Sequence, residues 1–424
     1  MKLTIAYGRE GLEIEVPDKN VVKVLRMTEK PVVQDPVEQT LRTIENPTGT
    51  PPLSKLAEGK QTACVVISDI TRPVPNATIL PPILETLEAA GIERDNITIL
   101  NGTGIHRPNE GDELTALVGP DIPKKYSIVN HMGRDTDSHE YIGETPIYNA
   151  PIHVDKRYIE ADLKIVTGLI EPHFMAGFSG GPKGVMPGIC AFETVKVLHG
   201  PDPMAHEKSV GGILKGNPVH EEILYVAQKA GVDFIVNVTL NERREITGIF
   251  AGDLIEAHHE GIEHVKTQVV STVDEPVDAV ITTSAGYPLD LTFYQTVKGM
   301  TEAKPIVKPG GVVMIASRCG EGIGSPEFTR LMLDTGTVDE FLTNIRTPGY
   351  YVLDQWQLQK LTSVLKENEV WLYSDGIDRD TQRKLFVKPL ESIESGIRDI
   401  IDKFGEDARI AVIPEGPYVN ARIA

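Results

Sequence analysis

Cysteine is scarce in this chain. Three thiols, Cys64, Cys190 and Cys319, are spread over 424 residues. An odd number of well-separated cysteines excludes a disulfide framework and fits reduced thiols, so the expected setting is cytoplasmic. Long apolar runs are also missing: none approaches the ~20 residues that span a bilayer. The opening Met1–Ala6 alternates and lacks the apolar core of a signal peptide, so no membrane association is expected. Positive charge is in deficit, with 42 Lys and Arg against 61 Asp and Glu and a net charge of −19. That balance excludes broad binding to a phosphate backbone, and with it a nucleic-acid partner. It leaves room for a small anion, because a local pocket can oppose the overall field. Internal repeats and low-complexity tracts are absent.

What is present fits a folded protein, with 40% hydrophobic and 24% charged residues. A chain this long exceeds one ordinary core, so two domains are expected. Lys2–Tyr7 and Gly11–Val16 form a hairpin pattern, and a Pro- and Gly-rich connector covers Asn46–Leu53. Thr62–Ile67 reads as a buried strand, Thr78–Ala90 as a helix stopped by Gly91, and Asn96–Leu100 as the next strand. This βαβ unit implies a parallel pair with a right-handed crossover. Leu163–Thr167 is a further strand, Phe234–Val238 and Ile246–Phe250 a later pair, and Leu254–Gln268 a helix. Thr272–Pro276 reads as a linker. Beyond it, strands at Ala279–Thr282, Gly311–Ala316, Glu369–Leu372 and Arg409–Val412 alternate with helices near Phe293–Met300, Asp354–Glu367 and Ser392–Phe404. The expected fold class is therefore α/β. It comprises two α/β domains with largely parallel or mixed sheets, residues 1–270 and 271–424, and an active site in the cleft between them.

Chemistry concentrates in a few segments. Ligands of parallel α/β sheets gather at the carboxyl ends of strands. Two turns fall there, Ser68-Asp69-Ile70-Thr71-Arg72-Pro73 and Asn101-Gly102-Thr103-Gly104-Ile105-His106-Arg107-Pro108. Asp69 and Thr71 suit ribose or phosphate oxygens, or else cap a helix, while the planar fork of Arg72 suits a carboxylate. Glu171-Pro172-His173 precedes Ser179-Gly180-Gly181-Pro182-Lys183. There, glycines let backbone N–H groups and an amine approach an anionic ligand closely. His199 shares a helical face with Phe192 and Val195, and the nearby lysine turn favours a functional histidine over a core one. Arg107 stands where a dinucleotide fingerprint needs its third glycine. Pro182 and Gly184 break the phosphate-loop pattern around Lys183, so neither nucleotide motif applies. His258-His259-Glu260-Gly261-Ile262-Glu263-His264 misses the zinc-protease spacing and reads as a solvated helix face. Tyr294, Gln295 and Lys298 are neighbours on one predicted helix.

Taken together, Asp69-Ile70-Thr71-Arg72-Pro73, Gly104-Ile105-His106-Arg107-Pro108, Glu171-Pro172-His173, Ser179-Gly180-Gly181-Pro182-Lys183, His199 and Tyr294-Gln295 with Lys298 resemble the nickel-pincer-dependent lactate racemase family. Its members racemise or epimerise 2-hydroxy acids. The resemblance implies that Lys183 is joined covalently to pyridinium-3,5-bisthiocarboxylic acid mononucleotide, that this group holds nickel, and that His199 supplies a further ligand. Soft sulfur and imidazole donors in a planar field suit nickel. It further implies that Asp69, Ile70, Thr71 and Arg72 touch the cofactor, and that Arg72, Tyr294, Gln295 and Lys298 bind the substrate. His106 and His173 become the two bases. One histidine takes the hydroxyl proton while the Cα hydride moves to the cofactor, giving a 2-keto acid that reorients before the hydride returns. Expected partners are a small-molecule 2-hydroxy acid and the cofactor-biosynthesis enzymes that load the protein. Tyr350–Trp356 offers an aromatic wall, and the substrate's side group stays open. A non-catalytic binder of a nucleotide or hydroxy acid is the competing class, with an NAD-linked dehydrogenase behind it. The paired histidines argue for the enzyme.

Overall fold

A computed structural model describes residues 1–424, and they divide into two compact units. The first unit comprises Glu29–Pro203 and Lys208–Gln268. Its six-stranded sheet runs in the order Ile246–Gly252, Phe234–Leu240, Leu163–Leu169, Ala63–Ser68, Ile97–Gly102, Ser127–Asn130. All neighbours are parallel except the edge pair Phe234–Leu240 and Ile246–Gly252. The central strands are apolar on both faces, as strands covered by helices must be, and Val65, Ile67, Ile99, Ile165 and Val236 are fully buried. The helix Asn76–Ala89 packs its Ile79, Leu80, Ile83, Leu84 and Leu87 on that sheet's core cluster.

The second unit comprises Met1–Thr28, Met204–Glu207 and Val269–Ala424. Its own six-stranded sheet runs Lys388–Pro389, Glu369–Tyr373, Val307–Ala316, Val277–Thr283, Ile410–Val412, Val21–Val24, parallel throughout. The two α/β units with parallel and mixed sheets are the expected fold class. The expected division into 1–270 and 271–424 needs correcting at the N-terminus. Val21–Val24 hydrogen-bonds to Ile410–Val412, and Ile5, Tyr7, Ile14 and Val16 are buried in a cluster with Ile410 and Val412. The first 28 residues thus pack with the C-terminal half. The expected linker is also partly a strand, because Val270–Val273 pairs in parallel with Asn420–Ile423. No helix is long and apolar enough to cross a membrane.

One buried ionic brace in the first unit fixes the segment that follows Lys183. The Asp155 backbone N–H donates to Ile189 O at 3.0 Å, and Val154 bridges Cys190. The Asp155 carboxylate accepts from Arg157 Nε at 2.8 Å and from His131 Nδ1 at 3.2 Å. Burial raises the Asp155 carboxyl, but the Arg157 and His131 hydrogen bonds and charges outweigh it and bring the pKa down to about 2. A carboxyl lowered from its usual value to about 2 contributes on the order of 2 kcal/mol of stability above its unfolded pKa. That contribution is lost as pH falls through the folded value. Asp155→Asn is therefore expected to lower unfolding stability at pH 7 by at least about 2 kcal/mol. The gap to the parent should shrink as pH drops from about 4 towards about 2. Urea titrations at several pH values check this, and a gap independent of pH contradicts it.

Candidate functional site

Strand order decides where a ligand can sit. From Ala63–Ser68 the chain steps outward to Ile97–Gly102 and Ser127–Asn130, then crosses back to Leu163–Leu169 on the other side. Connections leave these two neighbours in opposite directions, which opens a crevice beyond their carboxyl ends. The residues that follow them are Asp69–Arg72 and Ile170–Lys183, with His106 after the adjoining strand. The sequence motifs of the first unit therefore converge on one edge of one sheet.

His106 and Asp69 meet directly. The Asp69 carboxylate is buried and lies 2.7 Å from His106 Nδ1. It also accepts from Thr71 Oγ1 at 2.6 Å. Burial alone would raise the Asp69 carboxyl. Hydrogen bonding and charge from His106, with help from Thr71 and Arg72, carry it below its ordinary value. An ionised carboxylate only accepts, so His106 Nδ1 carries the proton and the lone pair of the neutral ring lies at Nε2. Asp69 thus fixes the tautomer and orientation of the His106 ring, a contact the sequence motifs do not reveal. Ile70 is exposed, and its N–H donates to Asn109 Oδ1 at 3.2 Å. Arg72 lies 3.9 Å from Glu171 Oε1 across the same edge.

His173 differs from His106. It is buried, pairs across a short hairpin with Gly177, and its Nδ1 accepts the Ala176 N–H at 3.3 Å. The neutral ring therefore carries its proton on Nε2. His199 ends the helix Phe192–Leu198 and its Nδ1 lies 3.2 Å from Val195 O. A carbonyl only accepts, so the proton sits on Nδ1 and the lone pair on Nε2. Burial, reinforced by the nearby Lys183 charge, lowers the His199 pKa to about 3 and keeps the ring neutral.

The Lys183 turn is built by close approach. Gly180 and Gly181 have φ of +75° and +48°, the left-handed region that favours glycine. Ser179 Oγ donates to Leu169 O at 2.6 Å and accepts the Glu171 N–H at 3.0 Å. Gly181 N–H donates to Asn237 Oδ1 at 2.7 Å. His258 Nε2 lies 2.9 Å from Ser179 O. His258 is buried, which corrects the reading of residues 258–264 as a solvated face. The helix Glu256–Val269 turns His258 inward onto Gly181 and leaves His259 exposed. Neither Asn237 nor His258 was picked out from the sequence as part of this turn. An asparagine inside the otherwise apolar run Phe234–Val238 was the available signal for the first.

In the second unit, Tyr294, Gln295 and Lys298 occupy the first two turns of the helix Phe293–Ala303, which follows the carboxyl end of Val277–Thr283. The Tyr294 hydroxyl accepts from Trp356 Nε1 at 3.1 Å, and its ring meets Phe328 edge-on. The aromatic residues near 350–356 therefore reach Tyr294 through Trp356. The Gln295 Oε1 atom is buried without a hydrogen-bond partner, an acceptor whose burial is unfavourable until a donor reaches it. No group of three or more His, Cys, Asp or Glu is arranged to hold a metal by itself.

Comparison with known proteins agrees along the chain. Residues 7–212 match the model of the lactate racemase N-terminal domain, and residues 272–420 that of the lactate racemase C-terminal domain. The lactate racemase of Thermoanaerobacterium thermosaccharolyticum is 33% identical over 431 residues, covering 99% of both chains. That of Lactiplantibacillus plantarum is 34% identical over 421 residues, covering 98% of both. The structure of the T. thermosaccharolyticum lactate racemase apoprotein superposes with a TM-score of 0.94 at 33% identity, over the whole of each chain. A Thermotoga maritima protein shares the fold, with a TM-score of 0.70 at 19% identity over 94% of this chain and all of its own.

Packing around the turn supplies a direct test. A Cβ on Gly184 would run into Val166 Cγ1 on the adjoining strand. Gly184→Ala is expected to lower stability by about 1–3 kcal/mol through overpacking. Adding Val166→Ala should recover part of that loss, so that the double variant is less destabilised than the sum of the singles. Denaturant midpoints of the four proteins check this, and strict additivity contradicts it.

Proposed function

Because the chain belongs to the lactate racemase family, we propose that it is an isomerase interconverting the two Cα configurations of a small 2-hydroxy acid. The observation that carries the proposal is the His106–Asp69 pair at 2.7 Å, standing at the strand-order reversal where the Lys183 turn also lies. A binding protein needs no such oriented base.

The residues present fit a nickel pincer nucleotide. His199 is a neutral imidazole with its lone pair at Nε2, beside Lys183. A single protein donor of this kind suits a metal held mainly by a cofactor's own sulfur and carbon donors. The glycine turn allows a bulky group to lie close to the backbone. Lys183 would hold the pincer covalently, His199 would complete the nickel coordination, and Asp69–Arg72 would flank the nucleotide. When bound, the group supplies a site that accepts and returns the Cα hydride.

The remaining work falls to the chain. The Cα–H of a hydroxy acid is too weakly acidic for side-chain deprotonation, so the proton that moves is the hydroxyl's. His106 Nε2 takes it, with the Asp69 carboxylate stabilising the cation that forms. The hydroxyl of the opposite enantiomer points the other way and needs a second group, His173, whose Nε2 can take a proton once Nδ1 releases the Ala176 N–H and carries the ring proton instead. Arg72, Tyr294, Gln295 and Lys298 would hold the substrate, the charge of the two cations suiting its carboxylate. The shielding and orientation these residues provide matter as much as the proton transfer.

The test is racemisation of a panel of 2-hydroxy acids by protein co-produced with cofactor-making enzymes. Chiral chromatography should show interconversion, and a substrate labelled with deuterium at Cα should keep its label. Washout of the label would refute hydride transfer, and tight binding without interconversion would mark a binder. His106→Ala and His173→Ala are each expected to cut the rate by about 10²–10⁴-fold while bound nickel is unchanged. Asp69→Ala should cut it by about 10–100-fold, because the half-exposed His106 keeps its base but loses its orientation. Full activity in either histidine variant would overturn the two-base scheme.

A further inference from the structure

The turn that carries Lys183 is gripped by two buried side chains from distant parts of the chain, and neither has a part in the proton transfers above. Asn237, fully buried in the strand Phe234–Leu240, accepts the Gly181 N–H at 2.7 Å. His258, buried in the helix Glu256–Val269, donates from Nε2 to the Ser179 carbonyl at 2.9 Å. Both touch the turn with no space to spare. A Cβ on Gly181 would stand 2.6 Å from His258 Cγ, and one on Gly180 would stand 2.8 Å from Asn237 Oδ1. The grip therefore needs the two glycines, and the glycines need the grip to hold one conformation among the many open to them.

The chemistry of the two groups is specific to this task. Asn237 Nδ2 is buried without a partner, which an apolar side chain of similar size would avoid. Leucine would fill the space but could not accept from Gly181. The amide orientation is fixed, because only the oxygen can receive that N–H. Burial lowers the His258 pKa and keeps the ring neutral, so it donates a hydrogen bond to the turn without bringing a charge to it.

We propose that Asn237 and His258 are positioning residues for Lys183: by holding Ser179 O and Gly181 N–H they fix the direction in which the lysine amine meets an acyl group. This rests on the reading of Lys183 as the cofactor anchor. Lys183 lies one turn beyond the gripped backbone, and its own N–H closes back on Gly180 O at 3.1 Å. A displacement of Gly180 or Gly181 therefore moves the lysine directly, and misplacement by an ångström can change a rate by about 10²-fold.

The experiment acylates the protein with the N-hydroxysuccinimide ester of nicotinic acid. The amine attacks the ester carbonyl, N-hydroxysuccinimide leaves, and the amine proton passes to solvent. Peptide mass spectrometry reads labelling of Lys183 relative to the exposed Lys125, and intact mass reads the loaded fraction after co-production with the cofactor-making enzymes. Asn237→Leu and His258→Phe, at melting temperatures close to the parent's, should each lower the Lys183 labelling ratio and the loaded fraction about tenfold. Asn237→Asp keeps the acceptor and should stay within about threefold of the parent, a rescue that a merely structural role would not give. Unchanged labelling and loading in the first two variants would overturn the proposal. Should those variants fail to fold, amide exchange in the parent decides: protection of the Gly181 amide supports the grip, and rapid exchange refutes it. Labelling that responds to the variants in a protein that never racemises would overturn the functional reading and leave the positioning role standing. Racemisation with indifferent labelling would do the reverse.

Discussion

The reversal of strand order beside Ala63–Ser68 is the constraint on which the site depends. A parallel sheet places every loop that follows a strand on the same edge, but most such loops are packed under the next crossover. Only where neighbouring strands send their connections apart does the edge stay open to a ligand. The loop after Ala63–Ser68 brings Asp69 and Arg72 to that opening, and the loop after Leu163–Leu169 brings His173 and Lys183. The second loop can lie close to the strand ends because Gly180 and Gly184 have no side chains. A Cβ at either would collide with residues on or just beyond the neighbouring strands. Topology fixes the place, and the glycines let the lysine segment occupy it.

Strands with strong apolar character were legible from the chain, as were the motifs that follow them. Ala63–Ser68, Ile97–Gly102 and Leu163–Leu169 lie within a few residues of their expected spans, because fully buried strands declare themselves by composition. Val21–Val24 was not legible. Its partner Ile410–Val412 lies nearly four hundred residues away, and nothing local marks a short strand that owes its existence to a distant edge. The same holds for His258. On a helix whose other histidines are exposed or only half-buried, its burial is decided by the angle at which the helix meets the Ser179–Gly181 turn. For Asp69 the motif alone points to a cofactor contact or a helix cap, and nothing local reveals that a histidine 37 positions later folds back onto it.

The two histidines assigned to proton transfer are unequal by construction. A carboxylate at Nδ1 of His106 favours the cation that forms when Nε2 takes a proton. A backbone N–H at Nδ1 of His173 does the opposite, because protonation would set two donors face to face. Under the proposed function His106 Nε2 is ready to receive a proton, whereas His173 Nε2 becomes an acceptor only after Nδ1 gives up its hydrogen bond to Ala176 and takes the ring proton. A racemase must run in both directions at equal equilibrium, but nothing requires its two half-reactions to share one rate-limiting step. Unequal hydrogen bonding lets kcat of the two directions differ in pH dependence, while their kcat/KM values stay equal because the enantiomers are equal in free energy.

Charge distribution explains how a chain with a net charge of −19 can admit a carboxylate. Long-range repulsion from exposed acids is screened within about 8 Å at physiological salt, so the local field governs capture. Within the first unit, Arg72 faces Glu171 at 3.9 Å, a separation longer than that of a strong charge-assisted hydrogen bond. A guanidinium held so loosely retains donors for an incoming anion. The contrast with Asp155 is instructive. There, Arg157 is spent in short contacts on a buried carboxylate, and its charge is neutralised in bracing the fold. The same residue type is used up in structure where its partner is close and buried, and keeps donors to offer a ligand where its partner stands off.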